Sequence, residues 1–123
     1  EAILEAVRER ANRAEVQCVV GLDLVEMAAV IARARLLVTN DSAPMHMGVA
    51  TGTPTVAVFG PTNPKALLPG EAAHVRAVTA GLDCSPCYSN SQFPGCAEPR
   101  CIASIDTADV LRSCIELLER NVG

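Results

Sequence analysis

Asp41, Ser42 and His46 fall within one short stretch, with Pro44 between them. A strand-to-helix turn of this make-up can hold an anion. The first amides of a helix have no partner inside it, and the positive end of the helix dipole faces the same way. The ligand such a turn suits is typically a phosphate. Pro44 in the first turn gives up no hydrogen bond, and Asp41 or Ser42 is expected to cap the helix with its side chain. Further on, Gly60-Pro61-Thr62-Asn63-Pro64 follows the next apolar run. It is expected to bring the Thr62 hydroxyl to the same crevice, with Gly60 open to close backbone approach. The alternative is a plain proline-fixed turn. Lys65 is either a phosphate contact or a solvated lysine.

A second group could bind metal. Cys84-Ser85-Pro86-Cys87 is followed by Cys96 and Cys101. A C-x-x-C pair with two more cysteines nearby fits a tetrahedral structural zinc site. Free thiols and disulfides are the alternatives, and a reducing cytosol favours metal over disulfide. The segment, residues 82–102, shows no helical or strand period and has few large apolar groups, Tyr88 and Phe93 being its aromatics. Metal, disulfide or packing must therefore order it. Cys18 and Cys114 lie among apolar residues and are expected to be buried small hydrophobes. His74 has no neighbour in sequence to pair with and is expected to be exposed.

The elements that position these groups can be read from apolar periodicity. Residues 2–14 read as a helix with Ile3, Val7, Ala11 and Ala14 on one face. Residues 16–20 (VQCVV) read as a strand closed by Gly21. Asp23 is expected to cap a helix running to about Arg35, with Leu24, Met27, Ala28 and Ile31 inward. Residues 36–39 and 54–59 read as strands joined by a crossover helix over residues 42–51. A short strand is expected within residues 73–79. Asp106 or Thr107 then caps a last helix with Val110, Leu111, Cys114, Leu117 and Leu118 inward. Helix and strand alternate, so the fold class is α/β: a parallel, Rossmann-like sheet with helices on both faces. Ligands of such sheets bind outside the carboxyl ends of the strands, where Asp41 and Thr62 stand.

Composition bounds the reading. The chain has 123 residues, half of them hydrophobic, and suits one domain. A net charge of −4 argues against a nucleic-acid partner held by a basic surface. No apolar run approaches a membrane span. The chain opens without Met, inside an expected helix, and is read as a fragment of a larger protein.

The segments Asp41-Ser42-Ala43-Pro44-Met45-His46, Gly52-Thr53-Pro54 and Phe59-Gly60-Pro61-Thr62 with Pro64 resemble those of the ADP-heptose:lipopolysaccharide heptosyltransferases, glycosyltransferase family 9. That family runs D-[ST]-G-P-x-H, an Ala-rich helix, G-x-P, a strand and F-G-P-T-x-P. The resemblance implies the C-terminal half of a two-Rossmann (GT-B) glycosyltransferase, with residues 1–123 as its nucleotide-sugar-binding domain. It implies an ADP-sugar donor contacted by Asp41, Ser42, Ala43, Met45, His46, Gly60 and Thr62. His46 would donate to a phosphate oxygen or hold the turn, the alternative being a core histidine satisfied by a carbonyl. By position, Leu22 and Met27 could line an adenine slot near the preceding strand end, with apolar core the alternative for Met27. The acceptor, a lipopolysaccharide core, and the catalytic base would belong to an N-terminal domain outside this chain. No cofactor is needed for such chemistry, and the four loop cysteines leave a structural zinc open. The implied location is cytoplasmic, with peripheral association at the inner membrane left open. Ala43 departs from the family's glycine, which bears on any positive φ or close ligand approach there. The competing reading is a non-catalytic nucleotide-binding or zinc-stabilised interaction module.

Overall fold

The structure, a computed structural model, describes residues 2–11, 15–70, 72–88 and 92–120. Its centre is a parallel sheet of three strands, β1 (Leu37–Asn40), β2 (Thr55–Val58) and β3 (Val75–Val78), in that order. Leu37 pairs with Thr55, and Thr55 with Val75, so the strands start level. Their carboxyl ends therefore lie side by side, which brings the turns after β1 and β2 together.

The strands' alternation assigns the two faces. Met45, Ala57 and Phe59 form one buried cluster, with Leu68 packed against it. This is the face covered by α3 (Ala43–Thr51). Val56 and Val78 form the other cluster, with Cys114 and Leu117 of α6 (Thr107–Arg120). Helices thus cover both faces, as the alternation of elements requires. Thr55 and Thr53 are buried polar residues; the Thr55 hydroxyl donates to the Thr53 carbonyl at 2.8 Å and the Thr53 hydroxyl to the Ile31 carbonyl at 3.0 Å. The second bond ties the sheet to α2 (Leu24–Arg33), which packs on α3.

Capping explains where the helices begin. Asp23 Oδ1 accepts from the Val25 and Glu26 amides, both at 2.8 Å, and Glu26 Oε2 accepts from the Asp23 amide at 3.0 Å. This is the reciprocal capping box expected of Asp23. Asp106 caps α6 by accepting from the Ala108 amide at 2.8 Å. Gly52 ends α3 at φ 71°, a left-handed conformation that disfavours a side chain. Two one-turn helices, α4 (Pro64–Leu67) and α5 (Arg100–Ala103), sit in the loops.

Several expectations are corrected. Residues 16–20 form no strand; Val19 and Val20 are 59 % and 67 % exposed. An apolar run becomes a strand only beside a ladder partner, and among the described residues none stands next to it. Cys18 is exposed for the same reason. Helix α1 ends at Ala11, and the expected inward residue Ala14 lies outside the described residues. Ile3 and Val7 of α1 are exposed, as are Leu24 of α2 and Leu111 of α6. Helix α1 buries none of its residues, Ala11 included, so its apolar face has nothing against it among the described residues. Leu24 and Leu111 share a helical period with inward neighbours but sit at the edge of the covered stripe. His74 is half-buried rather than exposed, its Nε2 lying 3.3 Å from the Val49 carbonyl oxygen.

Candidate functional site

The site is built where β1 and β2 end. Asp41 and Ser42 leave β1, and Ser42 takes the N-cap position of α3 with extended backbone. Its side chain makes no capping bond; the Ser42 hydroxyl donates instead to Asn40 Oδ1 at 2.6 Å. Asp41 does not cap either, because Asp41 Oδ2 accepts from the Thr62 hydroxyl across the two turns. The expected side-chain cap is thus absent. The consequence is a helix start without a side-chain cap. The Ser42 amide donates to the Asn40 carbonyl at 2.9 Å and the Met45 amide to the Ser42 carbonyl at 3.0 Å. Pro44 has no N–H, and among the described residues the Ala43 amide is open at the carboxyl edge of the sheet.

The expected binding residues divide into two groups. Asp41, Ser42 and Thr62 are half-buried and stand together. Ala43 and His46 are exposed on the first turn of α3. Ala43 is an ordinary helical residue, so its side chain is no burden to the backbone there. Met45 and Gly60 serve other purposes. Met45 is fully buried against Ala57 and Phe59, and its amide donates to the Ser42 carbonyl at 3.0 Å. Gly60 is buried, and the space its missing Cβ leaves is filled by Ile102, whose side-chain carbons lie 2.6 and 2.8 Å from that position. The close approach at Gly60 is therefore made by the protein's own side chain. Met27 is half-buried on α2 and Leu22 is at the surface.

Beside Thr62, a cavity of about 410 Å³ opens at the ends of β2 and β3. Its lining is mostly apolar, from residues such as Pro64, Ala77 and Pro86, with Thr62, Lys65, Thr79 and Ser85 also at its wall. Lys65 is exposed, and its amide donates to Asn63 Oδ1 at 3.0 Å, which starts α4.

The cysteine-rich loop returns to this region. Cys84, Cys87, Cys96 and Cys101 all line one cavity of about 210 Å³ together with Pro61, Phe93 and Ile102. Among the described residues, however, no three His, Cys, Asp or Glu side chains converge as a metal-holding group. All six cysteines are free thiols. Cys96 Sγ donates to the Glu98 carbonyl at 3.1 Å. What holds the loop in place is main-chain bonding: the Cys87 and Tyr88 amides both donate to the Pro61 carbonyl at 2.9 Å. The Ser85 hydroxyl donates to the Gly60 carbonyl at 2.6 Å. Hydrogen bonds to the Gly60-Pro61 turn thus tie the loop to the end of β2.

Sequence reasoning missed two residues here. Asn40 belonged to a visible polar cluster but its acceptor role did not. Ser85 was hidden inside the C-x-x-C motif, where nothing in its spacing pointed to Gly60.

A family model described as "Glycosyltransferase family 9 (heptosyltransferase)" matches residues 1–97. Lipooligosaccharide heptosyltransferase 2 of Campylobacter jejuni subsp. jejuni serotype O:2 is 40 % identical over 61 residues, 50 % of this chain and 19 % of that protein. The serotype O:6 counterpart matches to the same extent. The crystal structure of a family 9 glycosyl transferase from Veillonella parvula superposes on 97 % of this chain and 34 % of its own, with a TM-score of 0.66 and 26 % identity. The chain spans about a fifth of the Campylobacter relatives and about a third of the Veillonella one.

Proposed function

Because the chain belongs to glycosyltransferase family 9, the heptosyltransferase family, we propose that it is the donor-binding half of a glycosyltransferase and holds the diphosphate of an ADP-sugar at the start of α3. The observation that carries this reading is the uncapped N-terminus of α3 at the carboxyl end of β1, with Asp41 held beside it by Thr62. The open Ala43 amide and the positive end of the α3 dipole suit a phosphate oxygen. The Asp41 carboxylate accepts from the Thr62 hydroxyl, which offsets part of its repulsion for a nearby anion.

In the transfer, the bond from the sugar's anomeric carbon to the diphosphate oxygen breaks. A new bond forms to an acceptor hydroxyl, whose proton goes to a base outside this chain. The leaving ADP carries the bonding electron pair, and charge builds on its terminal phosphate. The N-terminus of α3 and the exposed His46 on its first turn would stabilise that charge. No metal is required in this scheme. A lipopolysaccharide-core acceptor, a heptose donor and a cytoplasmic site at the inner membrane complete the reading. Among the described residues, no helix is long and apolar enough to cross a membrane.

The test is an NMR titration of the full-length protein with ADP-heptose, alongside a turnover assay. Perturbed amides should cluster at residues 42–47. Perturbations centred elsewhere would reject the site, and binding at these amides without turnover would favour a non-catalytic nucleotide-binding module.

A further inference from the structure

We propose that Ser85 is a positioning residue for the donor site, acting through the Gly60-Pro61-Thr62 turn on Asp41. The proposal rests on the reading of that turn as part of the donor site.

The turn has little of its own to fix it. Gly60 is the most permissive residue in its backbone, and Thr62 is only half-buried. Three bonds from the cysteine-rich loop hold it. Two are the Cys87 and Tyr88 amides on the Pro61 carbonyl. The third is the Ser85 hydroxyl on the Gly60 carbonyl, at 2.6 Å the shortest of the three. From the other side, Ile102 and Cys101 press on Gly60 where a Cβ would stand. Ser85 is itself anchored, its amide donating to the Leu82 carbonyl at 2.9 Å.

Geometry converts this brace into a functional one. The Ser85 bond orients the peptide plane that follows Gly60, and the next residue but one is Thr62. Thr62 makes the hydrogen bond to Asp41 that joins the turn after β2 to the turn before α3. Ser85 is thus two links from Asp41, through one carbonyl and one hydroxyl. The two amide bonds from Cys87 and Tyr88 are main-chain and survive side-chain replacement. Ser85 is the side chain whose loss frees the Gly60 carbonyl, and with it the orientation of the Gly60-Pro61 peptide, without dismantling the loop.

The experiment uses Ser85→Ala, Ser85→Thr, Thr62→Val and the Ser85→Ala/Thr62→Val pair in the full-length protein, with ADP-heptose as the probe. Ser85→Ala should lower kcat about tenfold, the kind of loss a small misplacement of a reacting group causes. Ser85→Thr, which keeps the hydroxyl, should recover most of it. The pair should be no slower than Thr62→Val alone, because both substitutions break one path. Losses that multiply in the pair, or a Ser85→Thr variant as slow as Ser85→Ala, would overturn the proposal.

A second measurement needs no turnover. In Ser85→Ala, the amide signals of Thr62, Asp41 and Ser42 should shift, while Ser85→Thr leaves them near their original positions. Unmoved Asp41 and Ser42 amides would overturn the proposal on their own. If the unaltered protein processes no ADP-sugar, the functional reading fails, and the amide shifts still decide whether Ser85 controls the turn.

Discussion

Cys114 sits on α6 against Val56 and Val78, and burial pushes its thiol above the ordinary value near 9.0. A thiolate is disfavoured there, so the folded protein keeps the proton under conditions where the unfolded chain has lost it. The stability from this group is fully present below the unfolded pKa and is lost as pH rises toward the folded one. Urea unfolding should therefore show a falling midpoint above about pH 9, and Cys114→Ala should flatten that part of the slope. Alkylation of the folded protein should follow exposure. Cys18, Cys84 and Cys96 are exposed and should react first, Cys87 and Cys101 later, and Cys114 only on unfolding. Joint protection of the four loop thiols, reversed by a chelator, would instead mean that a metal gathers them. Cys114 was legible in the sequence because it falls on the helical stripe of Val110 and Leu117. Cys18 was not. Its apolar neighbours promised burial, but burial needs a partner surface, which a run of apolar residues does not reveal by itself.

At the scale of elements, α3 approaches the sheet through Gly48. A Cβ there would collide with the Thr55 hydroxyl and stand 2.8 Å from Leu37 Cδ2. Thr55 cannot yield cheaply, since it is fully buried and bonded to the Thr53 carbonyl. Gly48→Ala should thus destabilise the fold by about 1–3 kcal/mol despite the better helix propensity of alanine. Its urea midpoint should fall, with an unchanged or higher midpoint indicating that α3 can lift off the sheet. The order from α2 through β1, α3, β2 and β3 to α6, the sheet's parallel character and the Asp23 cap were legible from period and capping chemistry. The expected strand at residues 16–20 does not form, and the one-turn helices α4 and α5 carried no period to read. The site was legible in part. Asp41, Ser42 and Thr62 were placed at adjoining strand ends, as parallel topology demands. Their bonding was not, because capping competes with cross-turn hydrogen bonds. Ser42 turning to Asn40, and Asp41 to Thr62, depend on which turn lies beside which. The burial of the Met45 side chain was not legible either: a first-turn position says nothing about which way the side chain faces the sheet.

In the whole molecule, the sheet is ordered β1-β2-β3, so among the described residues β1 has an unpaired outer edge. Val38 in its middle is 51 % exposed, and Ile3, Val7, Val19 and Val20 are exposed as well. An open edge offers its amides and carbonyls to any extended chain, and exposed apolar side chains add attraction. This has a practical meaning for the 123-residue chain handled by itself. It should be a sticky protein, forming reversible oligomers that grow with concentration and seed precipitation on warming. Sedimentation velocity across a dilution series should show this as a rising weight-average coefficient. Val38→Lys puts a charge on the open edge, a gatekeeper of the kind natural sheets use. It should keep the chain monomeric to higher concentration with its circular dichroism unchanged. Equal association of both forms would place the adhesive surface on the helices instead, and would direct solubilising substitutions to Ile3 and Val7.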